Sequence, residues 1–356
     1  MIIYYIIFAI IIIYNIIPAS NEKRARYKML ISLFIVFIYA SIRSDYGLDY
    51  WEYMDYFNNC HDSNNYSNSM YQGGIELGYY WLNKILPTHR VLLIILSAFT
   101  CYTYYWLFRK FVPSDYYWFG YLLLAISGGY IFFFQLSGLR NAIAINIMTL
   151  STPLIRDRKI IIYLLYTVIA YFFHNSAIFF MPLAYFIATP SNLKNKDIIL
   201  WSIGMVLLLL SATSNLIDII APYINTYFNK YMLYIEKASV LNHENTIYLY
   251  IFTILMFIMS LIIMKKVNLS DIENVILKLS NLFFVSLLLG VINFRMSQYY
   301  APYLLVSSII ILSRVKNPLL KYSFIGCVLI FFTYSFIVIF MGSEYYSYDQ
   351  YHTILD

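Results

Sequence analysis

Four isolated cationic side chains interrupt long apolar stretches of this 356-residue chain, and their chemistry suits a bound phosphate group. They are Arg43, Arg140, His174 and Arg295, whereas most other Lys and Arg residues stand in short clusters between apolar segments. An ionisable residue at a membrane segment is costly to bury, which makes it a functional-site candidate. Arginine donates paired, charge-assisted hydrogen bonds to phosphate oxygens. A histidine can exchange a proton near neutral pH, as a general base does.

An acidic and aromatic segment follows the first of these cations. Asp45, Gly47, Asp49 and Tyr53 lie within eleven residues that begin at Arg43. Carboxylates accept hydrogen bonds from sugar hydroxyls, and aromatic rings pack on the C–H faces of sugars. Gly47 permits a tight turn that could aim the Asp49 carboxylate. The segment therefore indicates a sugar-binding loop beside the cations.

The same two aspartates raise the question of a metal ion. Asp45 and Asp49 would share one face if the loop were helical, but Gly47 between them argues against a helix. Magnesium also relies on phosphate ligands more than on an all-protein cage. Arginines can neutralise a diphosphate without a metal, so we expect metal-independent chemistry with no cofactor. A two-aspartate metal site stays open as the alternative.

The composition sets the class of protein. The chain is 61% hydrophobic and 12% charged, with a mean hydropathy of +0.67, whereas soluble domains carry about 25% charged residues. We expect an all-α polytopic membrane protein, with residues 1–356 forming a single membrane domain. The net charge of +6 reflects loop charges that orient helices, and nucleic acid is not an expected partner. The three cysteines are too scattered for a metal site or a disulfide framework.

Long apolar runs predict about twelve transmembrane or half-membrane helices. They cover residues 2–17, 28–42, 91–108, 116–134, 139–155, 160–173, 176–189, 198–213, 246–264, 275–292, 299–313 and 319–341. If each run crosses the bilayer, all six basic clusters between them fall on one side, which the positive-inside rule makes cytoplasmic. The first run lacks the features of a signal peptide and is predicted to be a retained helix. Two large loops, 43–90 and 214–245, and the polar tail 342–356 then face outside.

The stretch 159–189 has two interpretations. A single helix of about 30 residues would be about 45 Å long and would place neighbouring basic clusters on opposite sides. Two short helices that meet at Phe173, His174 and Asn175 would keep both clusters inside. Each would be shorter than the ~30 Å hydrocarbon core, so the turn would lie in a protein-lined depression.

The charge-rule topology brings the four lone cations to one face. Arg43 ends the second segment, Arg140 starts the fifth, His174 occupies the turn after the sixth, and Arg295 lies in a short turn before the eleventh. All four positions are then on the outer side. A cluster of arginines at a membrane depression, beside an acidic aromatic loop, indicates a lipid-diphosphate sugar handled at the outer face.

The motifs at these positions resemble the EpsG/Wzy family of bacterial polysaccharide polymerases. They are Arg43, Gly47, Asp49 and Tyr53; the run Leu139-Arg140-Asn141-Ala142-Ile143-Ala144; the turn Phe173-His174-Asn175-Ser176; and Arg295 with Tyr299. The resemblance covers about residues 1–315. It implies a glycosyltransferase of the bacterial inner membrane, with its active site facing the periplasm. The implied partners are undecaprenyl-diphosphate-linked oligosaccharide donor and acceptor, the lipid bilayer and a chain-length regulator.

The expected reaction is a glycosyl transfer, inverting or retaining, between two lipid-linked chains. Arg140 and Arg295, assisted by Arg43, would stabilise the leaving diphosphate. His174, or else Asp49, would accept the proton of the attacking hydroxyl. Asp45, Gly47, Asp49, Tyr53, Asn175 and Tyr299 would hold the repeat unit.

Three other functions compete with this one. A flippase for lipid-linked sugars needs charges deep along a central path, and here the lone cations gather at one face. An O-antigen-type ligase uses the same chemistry with another acceptor, and glycan analysis of a deletion strain separates the two. A membrane O-acyltransferase would take its donor from the cytoplasmic side, and no basic pocket pattern for one is present.

Overall fold

A computed structural model shows a nearly all-helical protein. It describes residues 2–47, 49–62, 75–127, 130–213, 243–287, 292–341 and 351–353. The chain divides into two compact units. The first comprises Met1–Leu154, Lys159–Pro182 and Val328–Asp356, and the second comprises Ile155–Arg158 and Leu183–Cys327.

Helices make up most of the described residues. Those of the first half are α1 (Ile2–Ile16), α2 (Glu22–Ser41), α3 (Tyr50–Asp62), α4 (Leu77–Ile85), α5 (His89–Phe111), α6 (Tyr117–Ile126), α7 (Phe132–Ser137) and α8 (Leu139–Leu150). Those of the second half are α9 (Thr152–Arg156), α10 (Ile160–Tyr171), α11 (Ala177–Ile187), α12 (Asn195–Thr213), α13 (His243–Lys266), α14 (Asp271–Leu287), α15 (Ile292–Arg314) and α16 (Pro318–Met341). Two short strands, β1 (Arg43–Ser44) and β2 (His352–Thr353), pair antiparallel.

Several helices begin where a polar side chain caps the first turn. The Asn21 side chain accepts a hydrogen bond of 2.9 Å from the Arg24 amide at the start of α2. The Thr88 hydroxyl accepts one of 3.2 Å from the Val91 amide at the start of α5. Asn317 does the same for Leu320 at 3.1 Å, directly before Pro318 opens α16. These caps satisfy amides that have no partner within the helix.

A helix lies over each predicted apolar run, and the all-α class is confirmed at that level. Among the described residues, two helices are long and apolar enough to span a bilayer, His89–Phe111 and Pro318–Ile337. Shorter apolar helices cover Ile3–Ile16, Leu139–Leu150, Ile160–Tyr171 and Ala177–Ile187. The run 116–134 contains two helices, α6 and α7. The number of spans and the side on which each loop lies remain predictions.

The stretch 159–189 forms two helices, α10 and α11, and residues 172–176 form the turn between them. The amides of Phe173 and His174 close the end of α10 by donating to the Ala170 carbonyl, at 3.0 and 2.9 Å. The Ala177 amide then donates to the His174 carbonyl at 3.1 Å as α11 begins. His174 therefore lies at a turn, as the charge pattern favoured.

The large polar segment 43–90 is more structured than its composition indicates. It contains α3 and α4, whose apolar faces join α5 and α8 in one cluster of the first unit. The buried members of this cluster include Tyr53, Phe57, Tyr79, Leu92 and Leu139. Phe173, from the turn after α10, packs against it. Helices α3 and α4 of this segment thus share a cluster with Leu139 and Phe173, which stand directly before Arg140 and His174.

Two further expectations concern regions after residue 213. Residues 214–242 of the second predicted loop lie outside the described residues. Arg295 lies within α15, which starts at Ile292, so its predicted position in a turn is wrong. The apolar run starts only at residue 299, because Asn293, Arg295, Ser297 and Gln298 interrupt the first two turns of that helix.

Candidate functional site

Arg140 is the centre of the candidate site in the first unit. It is the second residue of α8, which starts after the short break at Gly138. Its Nη1 forms an ion pair of 2.8 Å with Oε2 of Glu76, and the side chains of the two residues are 20% and 8% exposed. The guanidinium carbon lies 5.9 Å from the ring centroid of Tyr53 and 5.4 Å from that of Tyr56. Aromatic faces at this range attract a cation.

Arg140 keeps donors that the ion pair does not use. The guanidinium has five N–H donors, and the contact with Glu76 is made through Nη1. Within the described part of the chain, Nε of Arg140 is buried without a hydrogen-bond partner. A buried unsatisfied donor is costly, so this side chain is suited to an added anionic ligand.

Glu76 connects Arg140 to the turn that carries His174. Its second carboxylate oxygen, Oε1, accepts a hydrogen bond of 3.4 Å from the amide of Asn175. The two ends of this one carboxylate therefore contact α8 and the turn between α10 and α11. The structure thus brings together Arg140, Asn175 and the aromatic residue Tyr53, all of which the sequence singled out.

His174 is 6% exposed and is held by its neighbour Ser176. The Ser176 amide donates to Nδ1 at 3.3 Å, and the Ser176 hydroxyl lies 2.6 Å from the same atom. An amide can only donate, so Nδ1 accepts, and a neutral ring then carries its proton on Nε2. This tautomer presents a donor at Nε2. The contact favours a hydrogen-bond donor over the general base expected from the sequence.

Helix α3 supplies the aromatic wall beside Arg140. Burial raises the pKa of the Tyr53 hydroxyl, and the guanidinium of Arg140 opposes part of that rise. Burial also raises the pKa of Tyr56, as does the hydrogen bond that its hydroxyl donates to Glu52. Both phenols therefore stay neutral near pH 7. They can donate hydrogen bonds and stack on a sugar, but they cannot act as anions.

Gly47 fits a narrow space in front of α8. Its φ is +117°, a conformation that side chains rarely adopt. A Cβ atom there would lie 3.1 Å from Oγ of Ser137 and 3.4 Å from the Leu136 carbonyl oxygen. The Gly47 carbonyl then accepts from the Tyr50 amide at 3.2 Å, where α3 begins. The backbone conformation at residue 47 thus requires a glycine, as expected from its predicted place in a tight turn.

Arg43 points into the protein and is 1% exposed. Its Nη1 donates to the Ala40 carbonyl and, at 3.3 Å, to the Ser97 hydroxyl. Its Nη2 donates to the Leu136 carbonyl at 3.3 Å. These contacts join α2, α5 and α7. The guanidinium thereby satisfies backbone carbonyls at helix ends, a structural role that differs from the phosphate contact expected for it.

The chain end also fixes the segment at Arg43. Strand β2 pairs with β1 so that Arg43 faces Thr353 and Ser44 faces His352. Tyr351 stacks on Tyr39, with ring centroids 4.3 Å apart and an interplanar angle of 9°. The Tyr351 hydroxyl also donates to the Tyr39 carbonyl. Residues 351–353 thus brace the start of the acidic loop.

The two aspartates of the loop do not share a helix face. Asp45 is exposed and has a positive φ of 45°, whereas Asp49 directly precedes α3 and its carbonyl accepts from the Tyr53 amide at 2.9 Å. The expectation that Gly47 prevents a helix between them agrees with this backbone. Metal independence stays a prediction.

Arg295 and Tyr299 belong to the second unit. Both lie on α15, and Tyr299 is 1% exposed. Their proposed place beside the substrate remains a prediction from the sequence.

Sequence reasoning missed two residues that organise this region. Glu76 was one of several acidic residues in a polar loop, and only its contacts with Arg140 and Asn175 single it out. Arg90 was not noticed, yet its Nη1 donates to the carbonyls of Ser41 and Arg43, at 2.9 and 2.6 Å. No local sequence signal distinguishes Glu76 from the other acidic residues of that loop.

Comparison with known proteins identifies the family of this chain. Neither a curated protein nor a solved structure matches this chain. The sequence profile of the EpsG family matches residues 26–351, nearly the whole chain. The chain therefore belongs to the EpsG family, whose members are Wzy-like polysaccharide polymerases.

Proposed function

We propose that this protein is a glycosyltransferase that joins lipid-linked oligosaccharide repeat units into a surface polysaccharide such as O-antigen. The donor and acceptor would be undecaprenyl-diphosphate-linked, and the reaction would occur at the periplasmic face of the bacterial inner membrane. Membership of the EpsG family supports a polysaccharide polymerase and a membrane setting. The observation that carries the site is Arg140, a mostly buried cation with an unsatisfied donor beside two tyrosine rings.

The proposed reaction is a displacement at the anomeric carbon of the donor. The acceptor hydroxyl forms the new bond to that carbon, and the bond to the diphosphate oxygen breaks. The diphosphate leaves with the bonding electrons, so negative charge grows on it in the transition state. A preorganised guanidinium near this charge lowers the barrier more than it strengthens substrate binding. Arg140 takes this role.

The other residues of the first unit take supporting roles in the proposal. Asp49 accepts the proton of the acceptor hydroxyl, and His174 donates from Nε2 to an oxygen of the diphosphate or the sugar. Tyr53, Asp45 and Asn175 orient the repeat unit. Arg43 holds the loop in place through its hydrogen bond to the Leu136 carbonyl, and the missing side chain of Gly47 leaves room for Ser137 beside the loop. Arg295 and Tyr299, on α15 of the second unit, take no part in the proposed step.

The test is complementation of a strain that lacks the gene. R140A is expected to leave single capped repeats in place of long polymer, with an unchanged amount of the protein in the membrane fraction. R140K keeps the charge but loses the planar donor fork, so shortened chains are expected. The matched control is R26A, because Arg26 is an exposed arginine in a surface pair with Glu22. Normal chain length in R140A would overturn the proposal.

A further inference from the structure

We infer that Glu76 is a positioning residue, which holds Arg140 and the turn at His174 in the arrangement that the proposed reaction needs. The inference rests on the proposed function, since it assigns a role within the same site. It starts from one carboxylate that contacts two separate parts of the chain. Oε2 binds Nη1 of Arg140 at 2.8 Å, and Oε1 accepts from the Asn175 amide at 3.4 Å.

Glu76 itself has little freedom to move. Its side chain is 8% exposed, and it directly precedes α4, where its own carbonyl accepts from the Tyr80 amide at 2.9 Å. Two residues later, the Gly78 amide donates to the Phe172 carbonyl at 2.8 Å. Ile75 on the other side is 2% exposed within the apolar cluster of α3, α4, α5 and α8. The backbone around the carboxylate is therefore anchored on both sides.

The charge of Glu76 suits positioning better than direct chemistry. One carboxylate oxygen binds the guanidinium of Arg140 and the other binds the amide of Asn175. Neither oxygen is therefore placed to accept a proton from the substrate. The ion pair fixes Nη1 of Arg140 and leaves Nε without a partner within the described residues. A lone arginine would sample many rotamers. With one donor fixed, the remaining donors can point at the growing charge on the diphosphate.

The same carboxylate also sets the turn geometry. Asn175 stands between His174 and Ser176 in the sequence. Its amide donates to Glu76, and the Ser176 amide donates to Nδ1 of His174. An amide anchored at Asn175 therefore restrains the ring that presents Nε2. A displacement of about 1 Å at a catalytic group can cost about 10²-fold in rate. A residue that restrains both the Arg140 guanidinium and the His174 ring is therefore expected to have a large effect on the rate.

The experiment compares E76Q and E76A with D55N in membranes from the deletion strain, which supply the natural lipid-linked repeat units. Asp55 is an exposed carboxylate on α3, so D55N is the matched control. E76Q keeps an oxygen acceptor but loses the charge, and a fall of about 10-fold in the rate at saturating substrate is expected. E76A loses both contacts, and a fall on the order of 10²-fold is expected. The apparent KM should change much less than the rate.

The outcomes of this experiment distinguish the role of Glu76 from the proposed function. Wild-type rates in E76Q and E76A, together with an inactive R140A, overturn the role of Glu76 and leave the proposed function standing. A normal R140A overturns the proposed function itself. A rise in KM at unchanged rate would place Glu76 in ground-state binding and overturn positioning. If E76A reduces the amount of protein in the membrane, E76Q decides alone, since it preserves the shape of the side chain and one of the two acceptor oxygens.

Discussion

The amide of Gly78 donates a 2.8 Å hydrogen bond to the carbonyl of Phe172, and the two backbones approach so closely that no side chain fits between them. A Cβ atom on Gly78 would lie 2.7 Å from that carbonyl oxygen and 3.0 Å from Cβ of Phe172. The start of α4 thus packs directly against the end of α10. This contact lies two residues from Glu76 and two residues from His174, so it fixes the distance that the Glu76 carboxylate has to bridge.

The first prediction concerns this close approach. In G78A, the new methyl group meets a backbone oxygen, which cannot rotate away as a side chain can. The start of α4 has to shift, at a cost of about 1–3 kcal/mol in folding free energy. The shift also moves Glu76 away from Asn175. Polymer length should fall although residue 78 contacts no substrate, and a thermal unfolding curve of the purified protein measures the loss of stability.

The matched control for that prediction is G204A. Gly204 is also a helical glycine, but no atom lies within 4 Å of a Cβ built on it. Replacement by alanine there should leave stability equal or slightly higher, because alanine favours a helix over glycine. Equal stability of G78A and G204A would contradict the proposed seating of α4 on α10.

Much of the fold could be predicted because apolar length is a local property. Each long apolar run became helical, as one helix or, at 116–134 and 139–155, as two. The turn at His174 followed from charges at residues 156–159 and 194–196. Boundaries were less accurate at polar ends. Helix α2 starts six residues before its apolar run, since Asn21 caps it and Glu22 favours the first turn.

The site was only partly predictable because its decisive contacts join distant segments. Arg140 stood out as a lone cation, but nothing local distinguishes Glu76 from the other acids of the same loop. The inward direction of Arg43 depends on carbonyls at Ala40 and Leu136. Those acceptors become available only when α2 and α7 end beside each other. Residue type therefore identified candidate groups, and tertiary contacts decided which of them could meet a ligand.

The second prediction separates a structural Arg43 from a phosphate-binding one. The side chain is 1% exposed and donates to two backbone carbonyls and Ser97. R43K cannot reproduce this fork, and R43A leaves the carbonyls unsatisfied. We expect losses of about 1–3 kcal/mol for R43K and about 2–5 kcal/mol for R43A in thermal unfolding. The amount of folded protein should fall in parallel with polymer. An R43A protein of wild-type stability that makes no polymer would instead indicate a direct contact with substrate.

The third prediction concerns the chain end. Tyr351 stacks on Tyr39, and β2 pairs with β1 beside Arg43. Y351A removes an aromatic pair worth about 0.5–1.5 kcal/mol beyond its buried area. Deletion of residues 351–356 removes the strand as well. Both changes should loosen the backbone at Arg43 and Ser44, seen as faster amide hydrogen exchange there. Y351F is the control, since it keeps the ring and loses only the hydroxyl that donates to Tyr39.

A fourth prediction tests the environment of Cys60. This thiol is fully buried, and burial raises its pKa to about 11. Maleimide reacts with the thiolate, so Cys60 should stay unlabelled in native protein near neutral pH and react after denaturation. Labelling in E76A but not in wild type would show that the cluster under α3 and α4 opens when the carboxylate is removed. The background carries C101S and C327S, which leaves Cys60 as the one thiol of the sequence, so that any labelling can be assigned to it.

The last prediction separates the two roles open to His174. With Nδ1 accepting from the Ser176 amide, Nε2 carries the proton and acts as a donor. A glutamine places its side-chain NH₂ near the position of Nε2, so H174Q should keep measurable polymerisation while H174A loses it. A general base must be deprotonated, and its rate would fall as the pH drops below the ordinary imidazole range near 6.5. A donor at Nε2 is present in both the neutral and the charged ring, so the rate should show no such fall. An inactive H174Q, together with a wild-type rate that falls as the pH drops below about 6.5, would establish the base.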